Sequence, residues 1–158
     1  MSAPRITFPA SIEGRVRLWL QGHPEGHERG AIILFRRFDR DVAGLDRSPR
    51  FVAVNALEMD GEWVIDSSPT HLRLNLRKFH DLYFRCEQEG LELGFAHSHP
   101  AGALEFSAKD DANERSILRG YAGCNGEGVA LVALILCAGQ WRARVRDGAA
   151  PQEARPAR

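Results

Sequence analysis

The chain predicts a mixed α/β domain in which a sheet is flanked by helices. Three observations predict it. Segments of helical period and segments of strand period follow one another as helix, strands, helix, strand, helix, strands. The longest apolar run, residues 129–138, is ten residues long, which suits a buried strand and is too short to span a bilayer. The 158 residues, 44% apolar and 27% charged, are enough for one domain with a real core.

Ile6, Thr7 and Phe8 make a short extended piece that Pro9 closes. Over residues 11–21, Ile12, Val16, Trp19 and Leu20 recur at helical spacing with Glu13, Arg15 and Arg17 opposite, and Gly22 ends the helix. Residues 23–27 form a loop holding Pro24 and Gly26. Residues 30–38 are apolar and partly β-branched and read as a strand, followed by a charged, turn-rich segment over 39–49. Phe51, Val52, Val54 and Leu57 mark a strand over 51–59, and Asp60-Gly61 turns the chain into Trp63, Val64 and Ile65.

Residues 72–76 alternate as a strand does. Leu76, Phe79, Tyr83 and Cys86 then take up a helical period, giving a helix over 76–89 that Gly90 stops. Residues 91–99 are a strand. Residues 107–121 are a helix with Ile117, Leu118 and Tyr121 on its buried face. A glycine-rich connection over 123–128 leads to strands over 129–137 and 140–146, joined at Ala138-Gly139. Residues 148–158 carry no apolar pattern. They are expected to be a flexible tail or linker, leaving a single domain over residues 1–147.

Formal net charge is zero, which argues against a nucleic-acid partner. No apolar run follows a basic start, so neither a signal peptide nor a membrane anchor is expected. Cys86, Cys124 and Cys137 are odd in number and lack CxxC spacing, as in a reduced, cytoplasmic protein without a disulfide framework.

The chemistry concentrates in His97-Ser98-His99-Pro100, followed by Ser107 and Asp110. On a strand, side chains at i and i+2 share a face, so His97 and His99 point the same way and can meet one metal ion at roughly 2.0–2.1 Å each. Alone, such a pair reads first as two half-buried strand histidines. Ser107 and Asp110 also have a plain reading. Ser-x-x-Asp before a helical run resembles a capping box, and Asp110, Asp111 and Glu114 complement the positive end of the helix dipole. Together the four positions make Asp110 an anionic third ligand and leave the Ser107 hydroxyl beside the ion. Three protein ligands on zinc leave a fourth position open for hydrolytic chemistry. That chemistry needs a carboxylate off the metal as general base. Glu28, just before the first long apolar strand, is the candidate, with Glu25 as the fallback.

Glu28, His97-Ser98-His99-Pro100, Ser107 and Asp110 resemble the motif of the JAMM (JAB/MPN+) metalloproteases: Glu, then His-Ser/Thr-His-(x7)-Ser-x-x-Asp. The resemblance spans residues 8–146 or so, because the element order matches as well. Glu28-Arg29-Gly30-Ala31-Ile32-Ile33 lies on the family's Glu-x-x-Gly-apolar stretch, with alanine where the family has glycine. The resemblance implies a JAB/MPN-like, cytidine-deaminase-like architecture. It implies one catalytic zinc held by His97, His99 and Asp110, with Glu28 as general base and acid. Ser107 becomes the oxyanion donor, a role worth about 3–4 kcal/mol.

The implied activity is cleavage of an isopeptide or peptide bond after the C-terminal glycine of a ubiquitin-like protein, in deconjugation or precursor maturation. The segment AGALEFSAKDDANE is most similar to bacterial members. Some of those are encoded beside E1-like and E2-like enzymes, including in antiphage operons, which makes such enzymes the expected partners. The ubiquitin-like tail is expected to lie as an extended strand against a sheet edge. The long insertion of linkage-specific eukaryotic members is reduced here to residues 123–128, and neither Cys124 nor Cys137 has partners for a second zinc. Two other functions compete: removal of cysteine or another residue from a sulfur-carrier protein, and a non-catalytic scaffold module of the same fold.

Overall fold

Ile32, Ile33, Leu34 and Phe35 have no exposed surface, yet they feed two different cores. Ile33 and Phe35 join one apolar cluster, while Ile32 and Leu34 join the other. A strand buried on both faces reads as an unbroken apolar run rather than an alternating one. The computed structural model describes residues 3–39, 48–148 and 150–157. Its elements are β1 (Arg5–Thr7), α1 (Ala10–Gln21), β2 (Gly30–Phe38), β3 (Arg50–Glu58), β4 (Val64–Ser68), β5 (His71–Leu74), a short 3-10 turn (Leu76–Lys78), α2 (Phe79–Glu89), β6 (Glu92–Ser98), α3 (Ala108–Asn125), β7 (Leu131–Cys137), β8 (Gln140–Arg146) and β9 (Gln152–Ala157). Most of the turn-rich segment expected over 39–49, residues 40–47, lies outside the described residues.

The mixed α/β class holds, but the sheet differs from the flanked sheet expected. Seven strands close into a barrel in the order β1-β3-β2-β6-β7-β8-β9, and β4 and β5 form a separate two-stranded sheet. On one face of the barrel strands Ile33, Phe35, Phe51, Val132, Leu134 and Ala143 pack with Val16 and Leu20 of α1. On the other face, Ile32, Leu34, Leu93 and Phe95 are covered by Phe79, Leu82 and Cys86 of α2 and by Ile117 and Tyr121 of α3. The helices therefore divide between the two faces of β2, α1 on one and α2 with α3 on the other.

Of the tail expected over residues 148–158, residues 152–157 are ordered as a strand. Gln152–Ala157 form β9, antiparallel to β8 and parallel to β1, with Arg155 beside Arg5. This strand closes the barrel, so the domain does not stop at residue 147. Its sequence hides the role because Ala154, 3% exposed, is its contribution to the core, while Gln152, Glu153 and Arg155 face out. A strand whose inward position is a single alanine leaves no alternation to read.

Local signals place the remaining turns. Gly90 ends α2 in the left-handed conformation at φ 63°. Ala138 and Gly139 both take positive φ, 50° and 77°, as a tight turn between two paired strands requires. Arg17 of α1 donates to the Gly139 carbonyl at 2.7 Å. α3 runs on past Tyr121 to Asn125, ending at Gly126. Among the described residues, no helix is long and apolar enough to cross a membrane.

Candidate metal centre

Strand register brings together residues far apart in sequence. β2 and β6 pair antiparallel with Gly30 opposite His97. One step beyond, Ser98 donates its amide to the Arg29 carbonyl at 3.0 Å, and its hydroxyl accepts the Arg29 amide at 2.9 Å. Just beyond that pair, Glu28 Oε1 comes to 4.0 Å from His99 Nε2. The Glu28 amide is tied to the Ser68 carbonyl at 2.9 Å, which fixes the approach to β2 from the β4 side. Gly30 has a steric role: a Cβ there would lie 2.8 Å from the Met59 sulfur and 3.2 Å from the Phe95 ring. Phe95 needs that space, because its ring stacks on His97 with centroids 5.3 Å apart and planes 12° apart.

Glu28, His97, His99 and Asp110 are all buried, and one ligand atom of each lies within 4.8 Å of the others. His97 Nε2 is 2.9 Å from His99 Nε2. Asp110 places Oδ1 2.8 Å from His97 Nε2 and Oδ2 3.1 Å from His99 Nε2. Donor atoms about 2.0–2.1 Å from one tetrahedral ion are about 3.3 Å apart, so the triangle is close to that size. Glu28 Oε1 stands outside it, 4.0 Å from each imidazole.

The tautomer of His99 also suits a cation. Its Nδ1 lies 2.9 Å from the Ala103 carbonyl, which can only accept, so Nδ1 carries the proton. In the neutral ring the Nε2 lone pair then faces His97 and Asp110. Lone pairs converging on one point from buried side chains fit a positive ion, so these four residues could hold a metal ion.

Asp110 arrives by a helix cap. Ser107 caps α3, accepting the Asp110 amide on its hydroxyl at 3.1 Å, while its own amide donates to Asp110 Oδ2 at 2.7 Å. The capping box and the approach to the histidines are therefore one structure. Asp110 Oδ2 serves both.

Electrostatics separate the two carboxylates. Burial pushes the Glu28 carboxyl above the ordinary glutamate value, against the pull of His97 and His99. In the metal-free chain burial opposes ionisation of Asp110 as well, but hydrogen bonds from the two imidazoles, protonated at Nε2, and from the Ser107 amide outweigh it and hold that carboxyl far below the usual range. His99 is raised, chiefly by its hydrogen bond to Asp110.

Two cavities meet at Glu28. One of about 260 Å³ lies between Glu28, Thr70, His99, Glu105, Phe106 and Ser107. Another of about 290 Å³ lies between Trp19, Glu28, Arg29, Met59, Ile65 and Asp66. Glu25 is not part of the site; its side chain is 74% exposed and faces His27 at 3.5 Å. Cys86, Cys124 and Cys137 are all unpaired.

Sequence reasoning read Glu114 only as a complement to the helix dipole. It has no exposed surface and pairs with Arg144 and Arg146. The alternation Arg142, Arg144, Arg146 on β8 was the signal, since period two puts those cations on one face; Arg144 and Arg146 reach α3 from it, while Arg142 pairs with Glu153 of β9.

No known family model matches this chain. No curated protein matches it either.

Proposed function

We propose that this chain is a zinc-dependent peptidase or isopeptidase of JAB/MPN type. It cleaves after the C-terminal glycine of a ubiquitin-like protein. The observation that carries the reading is the buried convergence of Glu28, His97, His99 and Asp110. His97, His99 and Asp110 would hold the ion. Two imidazoles and one carboxylate favour zinc over magnesium or calcium, which prefer all-oxygen shells. When bound, zinc supplies Lewis acidity and makes water acidic at neutral pH.

The chain's own residues do the rest. Glu28 stands close enough to take a proton at the site and too far to join the donor triangle. Its raised carboxyl suits the return of that proton to the leaving amine. Ser107 accepts the Asp110 amide and keeps a hydroxyl proton to donate to the developing oxyanion from the cavity wall it shares with Glu28. An extended substrate tail can enter along β4, which among the described residues pairs only with β5, and pass Glu28 from the larger cavity into the smaller.

The test combines metal analysis and cleavage. Purified protein should carry close to one zinc per chain. It should cut a reporter fused behind the C-terminal glycine of a ubiquitin-like protein, and a chelator should stop it. Release of cysteine from a carrier-cysteine adduct, without cleavage of the fusion, would move the assignment to sulfur-carrier processing. A chain that takes up no zinc and cuts neither substrate would be a scaffold module.

A further inference from the structure

Two arginines of β8 grip the first turns of α3. Arg144 donates from Nε and Nη2 to the two Glu114 oxygens at 2.9 and 2.8 Å. Its Nη2 also reaches Asp111 at 2.6 Å. Arg146 contacts Asp111 at 3.2 Å and Glu114 at 3.4 Å. The Arg144 guanidinium lies 3.8 Å over the Phe106 ring. Phe106 precedes Ser107, Asp111 follows Asp110, and Glu114 sits one helical turn beyond it. One side chain thus holds both sides of the capping box.

Two cations and two carboxylates, with Glu114 at 0% and Arg146 at 5% side-chain exposure, are a poor device for stability alone. Desolvation offsets most of the attraction, and apolar side chains of similar volume often do as well. A guanidinium fork does one thing that apolar packing does not: it fixes direction. We propose that Arg144 is a positioning residue of the metal centre. It sets the rotation and height of the first turn of α3, and through that turn the place where Asp110 meets His97 and His99. The proposal rests on the metal-binding reading of the site.

Two variants test it. Arg144→Lys keeps the charge but loses the fork and the planar stack on Phe106. Arg144→Met combined with Glu114→Leu removes both partners and leaves Asp111 with Arg146, so no buried charge is stranded. Zinc affinity is measured by competition with a chromophoric chelator, beside the circular dichroism and unfolding midpoint of the metal-free chains. Both variants are expected to keep the wild-type dichroism, and the double variant its unfolding midpoint. Both are expected to bind zinc about 10–100-fold more weakly. Wild-type zinc affinity in either folded variant overturns the proposal. A wild-type chain that takes up no zinc overturns the metal reading, and this one with it.

Discussion

Ser98 and Arg29 hold each other by two hydrogen bonds, the Ser98 amide to the Arg29 carbonyl and the Arg29 amide to the Ser98 hydroxyl, at 3.0 and 2.9 Å. This ring delivers Glu28 to the histidines. Ser98→Ala leaves the half-buried Arg29 amide without its acceptor, at a cost of about 1 kcal/mol. Denaturant unfolding should show that loss. Zinc binding should persist, since His97 and His99 stay on β6, while turnover falls as Glu28 loosens. Unchanged turnover in a destabilised variant would separate the ring from the chemistry.

Glu28 and Glu25 make a matched pair of substitutions. Glu28→Gln should lower turnover by about 10²–10⁴-fold while zinc content stays near wild type, because Glu28 Oε1 lies 4.0 Å from both imidazoles. Glu25→Gln, altering an exposed loop side chain, should change neither. Loss of zinc in Glu28→Gln would make Glu28 a ligand instead.

The two buried carboxylates should pull metal-free stability in opposite directions with pH. Glu28 is raised in the fold, so the native state holds its proton longer than the unfolded chain. Its contribution to stability therefore falls as pH rises from the ordinary glutamate value through the raised one. Asp110 is depressed, so its contribution is present above the ordinary aspartate value and is lost as pH falls toward the depressed one. Unfolding of the metal-free chains across pH should show Glu28→Gln gaining on wild type with rising pH and Asp110→Asn losing ground. Parallel curves for all three chains would refute both assignments.

Ser107 has two jobs that one pair of variants can divide. Ser107→Ala removes the cap, worth about 0.5–2 kcal/mol, together with the hydroxyl donor. Ser107→Asn restores a capping oxygen without the hydroxyl. Stability should recover in the asparagine variant, while turnover stays about 10²–10³-fold low. Recovered turnover would reduce Ser107 to a cap.

Deleting residues 151–158 should do more than trim an end. Without β9, β8 and β1 each lose a partner, and unpaired strand edges invite association between chains. A lower unfolding midpoint and concentration-dependent association in light scattering are expected. A shortened chain that melts as the full one does would mean that β9 adds nothing to the barrel.

What was legible in the sequence was local. The shared face of His97 and His99 follows from strand period, and the approach of Asp110 follows from a cap four residues long, so both could be read before any fold was known. The strands and helices were legible where burial is one-sided or complete, as over 30–38 and 131–137. Glu28 was harder, because its meeting with His99 depends on how β2 and β6 register across some seventy residues. Nothing local states that pairing. β9 was missed because alanine at 154 carries too little apolar signal, and the closed barrel was missed with it. The ion cluster of Arg144 and Glu114 was missed because each half has an ordinary surface role when seen alone.

The ring of strands has a temporal side. β1 near residue 5 and β9 near residue 155 are neighbours, so this join is made between strands about 150 residues apart in the sequence. Closing so long a loop adds little to the equilibrium cost, which grows only with the logarithm of its length, but pairings that distant slow the search for the native state. During synthesis β1 must wait beside β3 until the far strand emerges, and a partner strand from another nascent chain would find it open in that interval.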